Sequence, residues 1–172
     1  ATCPRSCAQW ATCYGNAMHQ ARRHNHRDPD FMYALKAEVV TLARQHPEGL
    51  VVRLHTLGDF YSVEYVRLWY DLLDRLPNLR VFGFTARRED ADDEESRAIA
   101  RAIREITEQA FDLFAIRFSG FDGPQGSIVT MTPDERESVI MCPAQTHETA
   151  ACATCGLCAA AGVRDKTIGF LL

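Results

Sequence analysis

The cysteine run Cys152-x2-Cys155-x2-Cys158 constrains this chain more than any other stretch, because three such close thiolates must converge on a shared ligand. With two residues between neighbours, the sulfurs reach the corners of one compact cubane, whereas a single tetrahedral ion would be crowded by them. Bacterial ferredoxin runs have this spacing and a further cysteine before a proline. Cys142-Pro143 supplies that dipeptide upstream, so Cys142 is the expected fourth ligand of a [4Fe-4S] cluster. A zinc knot and a disulfide framework are the alternatives that ordinary spacing rules leave open.

A second group stands at the other end. Cys3-Pro4, Cys7 and Cys13 form a C-x3-C-x5-C run with Trp10 and Tyr14 interleaved. Three soft ligands so close together suggest a second metal centre. On a four-iron cluster they leave one iron without a cysteine, open to a substrate, a cofactor or water. The plainer alternative has Cys3 completing the C-terminal site, with Cys7 and Cys13 as small buried apolar residues. Cys3 lies close to residue 1, which implies either a longer native chain or a ligand that pins down a loose end.

Seven cysteines is an odd number, and their clustering fits a reducing cytoplasm better than a disulfide framework. No apolar stretch approaches the ~18 residues of a membrane span, and no signal peptide pattern opens the sequence, so a soluble protein is expected. At 172 residues and 47% hydrophobic, the chain is expected to form one domain, residues 1–172. A formal net charge of −4 argues against a surface built mainly for phosphate backbones. The run Arg22-Arg23-His24-Asn25-His26-Arg27 is nevertheless a local basic patch. It reads either as a solvated face or as a contact for phosphate, carboxylate or nucleic acid.

Between the cysteine groups the pattern is α/β. Asp28-Pro29 predicts a helix start, and Phe31, Leu35, Val39 and Leu42 make an apolar stripe that ends near His46-Pro47. A strand is predicted over 50–56, then a helix capped by Ser62 and broken at Pro77-Asn78. A second strand over 79–85 follows. The acidic block Asp90 to Glu95 suits the N-terminus of the next helix. Further strands are predicted over 113–118, 127–131, 138–141 and 167–171. Strands separated by helices imply parallel β-α-β units, giving a partial (β/α) barrel or an open parallel sheet. In either, ligands sit at the carboxyl ends of the strands. Asp59, Thr85, Arg87 and Ser119 stand at those ends and are the candidate rim residues, although each is also ordinary turn chemistry.

The order Cys3-Pro4-x2-Cys7, Cys13-Tyr14, Gly58-Asp59-Phe60-Tyr61-Ser62, Phe84-Thr85-Ala86-Arg87, Cys142-Pro143 and Cys152-x2-Cys155-Gly156-x-Cys158 resembles the phage and prophage proteins called gene product 88. The resemblance spans nearly the whole chain. At one further remove the layout is similar to radical S-adenosylmethionine enzymes, with their N-terminal three-cysteine loop, Gly-acid turn after an early strand and partial β/α barrel. That similarity implies S-adenosylmethionine as a cofactor. Those enzymes typically have C-x3-C-x2-C, where this chain has C-x3-C-x5-C, and Gly58-Asp59 only approximates their Gly-Gly-Glu turn.

The expectation is therefore an iron–sulfur protein with one or two clusters, working on a small molecule or with an electron donor. Redox or radical chemistry would occur at the open iron. A metal-stapled binding module that contacts nucleic acid is the expectation from another class.

Overall fold

The computed structural model describes residues 2–172. Its frame is one sheet of six strands: β1 (Leu50–Leu54), β2 (Leu79–Thr85), β3 (Phe114–Ser119), β4 (Gly126–Thr130), β5 (Val139–Met141) and β6 (Thr167–Leu171). The order is β1-β2-β3-β4-β6-β5 and every ladder is parallel. The sheet is open, with β1 and β5 as its edges, which decides between the two architectures expected.

Three helices cover one face: α1 (Phe31–Gln45), α2 (Val63–Arg75) and α3 (Glu94–Gln109). Their apolar stripes meet Leu54, Val81, Phe114, Ile116 and Phe118 in one core, with Trp69 of α2 only 1% exposed. Local chemistry sets the helix starts. Ser62 Oγ accepts from Tyr65 N–H at 3.1 Å, and Asp93 accepts from Ser96 N–H at 2.6 Å. Caps of this kind contribute ~1 kcal/mol each.

α1 begins two residues later than Asp28-Pro29 suggests. The Asp28 side chain accepts from Asp30 N–H in a tight turn, and Asp30 stands at the cap position without a side-chain bond. The first strand likewise stops at Leu54 rather than Thr56, because its ladder with β2 ends at Leu54–Gly83.

The opposite face carries a different cover. Phe82, Ala115 and Phe111 pack against Cys158 and Ala159 from the C-terminal cysteine segment. With both faces covered, the first five residues of β3 are all buried, the pattern of a central parallel strand. β4 begins where β3 ends, at Phe118–Gly126 and Ser119–Ser127, so the last three strands continue past the carboxyl ends of β2 and β3.

Candidate functional site

The N-terminal cysteine segment lies over the carboxyl ends of β1 and β2. Its one regular piece is a 3-10 turn over Tyr14–Ala17, capped by Cys13, whose Sγ accepts from Gly15 N–H at 3.4 Å. Long-range bonds therefore have to hold it. Thr2 supplies two: its Oγ accepts from Asp59 N–H at 2.9 Å, and its carbonyl accepts from Arg87 Nη2 at 2.7 Å. Gly58, between β1 and Asp59, sits at φ +90°, and a Cβ there would stand 2.5 Å from Thr2 Oγ. Only glycine allows this backbone and this contact together.

Asp59, Thr85 and Arg87 converge as the rim rule expects. Asp59 is 4% exposed and Arg87 7%. Asp59 accepts from Phe60 N–H, from Thr85 Oγ1 and from Ala86 N–H, each at 2.7 Å. Arg87 Nε donates to the Phe60 carbonyl at 2.9 Å and Nη1 to Ser96 Oγ at 2.7 Å. Both charged groups are thus spent on internal partners and on the anchor of the Cys3 segment. Burial pushes the Asp59 carboxyl up, against the pull of its three donors and of Arg87. Ser119 stands apart from this trio, in the ladder with Ser127, and Gly120 N–H bonds the Ser127 carbonyl at 2.8 Å.

The cysteines gather in the two groups that the sequence suggests, and all seven are free thiols. Burial pushes Cys3 up, and so do negative charges on Asp59, Cys7 and Cys13. In the C-terminal group, Cys142 follows β5 and its N–H bonds the Gly169 carbonyl at 2.8 Å. Cys152 and Cys155 open and close the short helix α4 (Cys152–Cys155), and Gly156, left-handed at φ +64°, turns the chain so that Cys158 comes back to the sheet. Burial pushes Cys158 up to about 11; Arg117 pulls the other way, and charges on Cys142, Cys152 and Cys155 add to the rise. Among the described residues, no group of three or more His, Cys, Asp and Glu side chains is arranged to hold a metal ion. The thiols are neighbours, then, but not closed around a point.

Two features escape a reading of the sequence. Arg117 of β3 is fully buried and fastens the C-terminal segment, as Arg87 fastens the N-terminal one. Its Nε donates to the Cys158 carbonyl at 3.0 Å, Nη1 to Lys166 and Nη2 to Val163, both at 2.9 Å. The other is His55, just past β1, whose Nε2 meets the Tyr65 hydroxyl at 3.1 Å. Burial lowers His55 to about 4 and raises Tyr65 to about 12, so the pair is neutral at physiological pH. An arginine inside an otherwise apolar strand was the available signal for the first. The second left none, since the pair depends on two elements meeting.

Fold and site define an α/β protein with a cysteine group at each end, each fastened to the same parallel sheet by a buried arginine. The family described as gene product 88 matches residues 1–161, and the chain belongs to that family, a phage-type one. No curated protein and no solved structure matches it, and likeness to radical S-adenosylmethionine enzymes gains no support from these comparisons. No helix among the described residues is long and apolar enough to cross a membrane.

Proposed function

We propose that the chain is an iron–sulfur protein in which Cys142, Cys152, Cys155 and Cys158 hold one four-iron cluster. In this reading Cys3, Cys7 and Cys13 hold a second cluster whose remaining iron is the reactive position. The observation that carries it is the sorting of seven free cysteines into two groups, three and four, with Cys3 in the field of Cys7 and Cys13 and Cys158 in the field of Cys142, Cys152 and Cys155. Thiolate donors suit iron–sulfur clusters. When bound, the open iron would supply a site for redox or radical chemistry on a small molecule, S-adenosylmethionine being one such ligand. The chain's own contribution is placement. Thr2, Gly58, Asp59 and Arg87 fix the Cys3 loop on the strand ends. Asp59 and Arg87 therefore act through the loop, and a substrate's amine or carboxylate would have to find other partners.

Anaerobic purification followed by iron, acid-labile sulfide and zinc analysis tests the reading. Iron and sulfide in equal amounts, near eight per chain for two four-iron clusters, is the expected result. A colourless protein with stoichiometric zinc would sink it.

A second reading has its own support. Residues 1–27 hold four arginines and no acidic residue, while all 23 acidic residues lie further on. Arg5, Arg22, Arg23 and Arg27 are exposed and make no ion pair among the described residues, whereas Arg88, Arg97, Arg101, Arg104 and Arg136 each face a carboxylate. Exposed Trp10, with the Arg5 guanidinium 5.9 Å from its ring centre, adds a stacking surface. Such a segment suits a polyanion, nucleic acid first. Oligonucleotide binding that weakens with salt and is lost in Arg22→Ala/Arg23→Ala supports this reading; no binding at low salt excludes it.

A further inference from the structure

Residues 2–27 carry their cations on a strip that the fold holds against one short loop, residues 57–61 beyond β1. Three contacts fasten it there. Thr2 Oγ accepts from Asp59 N–H at 2.9 Å, a Cβ added at Gly15 would stand 2.7 Å from Leu57 Cδ2, and the His26 ring meets Tyr61 with centres 4.8 Å apart. In sequence, Arg5 and Trp10 lie between the first two ties, Arg22 and Arg23 between the second and third, and Arg27 directly after the third; all five side chains are exposed. The cations are thus set in place before any anion arrives, which lowers the ordering cost of binding one.

The local structure of the strip selects the kind of polyanion that fits. Duplex DNA is read by an α-helix or a two-stranded ribbon laid in its major groove. Residues 2–27 form only the 3-10 turn over Tyr14–Ala17. α1 follows, but Asp28 and Asp30, both exposed, stand at its N-terminal end and repel phosphate there. What the strip does present is a flat aromatic face beside cations: Trp10 is 41% exposed, with the Arg5 guanidinium 5.9 Å from its ring centre. A base can stack on such a ring only when its own face is free, as in a single strand, and every base has such a face. Resting on the second reading above, we propose that the strip is a site for single-stranded nucleic acid, in which an unpaired base stacks on Trp10 and phosphates meet Arg5, Arg22, Arg23 and Arg27. No base edge is read in this arrangement, so DNA and RNA strands of differing sequence bind alike, ranked by stacking strength alone.

Tryptophan fluorescence reads the site directly, because Trp69, the chain's other tryptophan, is 1% exposed. The full chain is titrated at low salt with oligothymidylate, with oligouridylate, and with the duplex of oligothymidylate and oligoadenylate. Both single strands should quench the Trp10 emission and bind about tenfold or more tighter than the duplex, the value of one base stack. Their log affinity should fall with log salt at a slope of about −3, from about 0.7 per phosphate over the four arginines. Trp10→Ala should weaken single-strand binding about fivefold or more without changing that slope, and Trp10→Phe should restore most of the loss. Arg27→Ala should lower the slope by about 0.7 and keep the quenching. Trp10 and Arg27 are exposed, so these variants fold as wild type does. Equal affinity for single strand and duplex, or binding that neither quenches Trp10 nor weakens in Trp10→Ala, overturns the single-strand site while the nucleic-acid reading stands. Quenching by only one of the two single strands overturns the indifference to sugar and sequence. If none of the three probes binds at low salt, the nucleic-acid reading fails and takes the proposal with it.

Discussion

Replacing Arg87 with methionine separates a loop anchor from a substrate ligand. The side chain is 7% exposed and spans the Phe60 carbonyl, Ser96 Oγ and the Thr2 carbonyl, while Asp59 lies in its field. Methionine keeps most of the apolar stem and removes every donor. Ser96 can turn to another partner, but the Phe60 carbonyl cannot reach water, and an unpaired buried acceptor costs ~1–3 kcal/mol. Asp59 also loses the favourable field of the guanidinium. Together these give a loss of about 3–5 kcal/mol, since each hydrogen bond from a charged group to the Phe60 and Thr2 carbonyls contributes ~1.5–3 kcal/mol. For a domain of this size that lowers the melting temperature by roughly 10–15 °C. The Cys3 segment, released at Thr2, should also shed its cluster, so iron should fall to about half while the C-terminal signal survives. Urea denaturation with iron analysis reads both quantities, and Arg88→Ala, at an exposed neighbour paired with Asp90, should change neither. Wild-type stability and full iron in Arg87→Met, with only the response to an added small molecule lost, would refute the anchor and restore the substrate role that the strand-end rule suggests.

Gly58→Ala should act on the same anchor from the other side: its Cβ displaces Thr2, and melting temperature and N-terminal iron should drop together, which one thermal scan and one iron assay will show. Cys155→Ala should unravel the half of the sheet beyond β3, because the main core draws on no residue after Phe118; hydrogen exchange should find β4 to β6 open and α1 to α3 still protected. His55 gives a pH signature. Its folded value of about 4 lies below the ordinary 6.5, so between those values the unfolded chain binds the proton and the fold does not. Stability should therefore fall as pH drops through that window, by on the order of 3 kcal/mol in all, and level off on either side. Denaturation midpoints for wild type and His55→Gln across the window should diverge by that slope; parallel curves would show that His55 does not titrate this way.

What could be read in the sequence was whatever depends on near neighbours. The strands over 79–85 and 167–171 and the Ser62 cap follow from β-branched runs, alternation and one hydroxyl beside a helix start. The gathering of cysteines was legible for the same reason: their spacing is itself a local fact. The β3–β4 step was not. A parallel neighbour normally needs a crossover as long as the strand. Here β4 pairs with only the last two residues of β3, so the short connection over 120–125 suffices. Nor were the partners of Asp59 and Arg87 visible, since Thr2 lies 57 residues from one and 85 from the other. Strand-end residues in an α/β sheet can face a ligand or bind a distant segment, and composition does not separate the two.

Both cysteine segments have the same structural problem, and the buried arginines explain how it is met. Residues 2–13 and 142–166 form only short turns and α4, so few of their carbonyls have helix or strand partners. A guanidinium suits several carbonyls around a single buried point, because its five donors spread in a rigid plane. Arg117 gathers three carbonyls across nine residues of the C-terminal segment. Arg87 joins Phe60 in the β1–α2 connection, the start of α3 and Thr2. Lysine at either position would keep the charge and lose the reach. Each also lies in the field of an acidic group, Arg87 in that of Asp59 and Arg117 in that of Cys158. Loosening of the C-terminal segment should be felt first at β4 to β6, the part of the sheet that the main core does not reach.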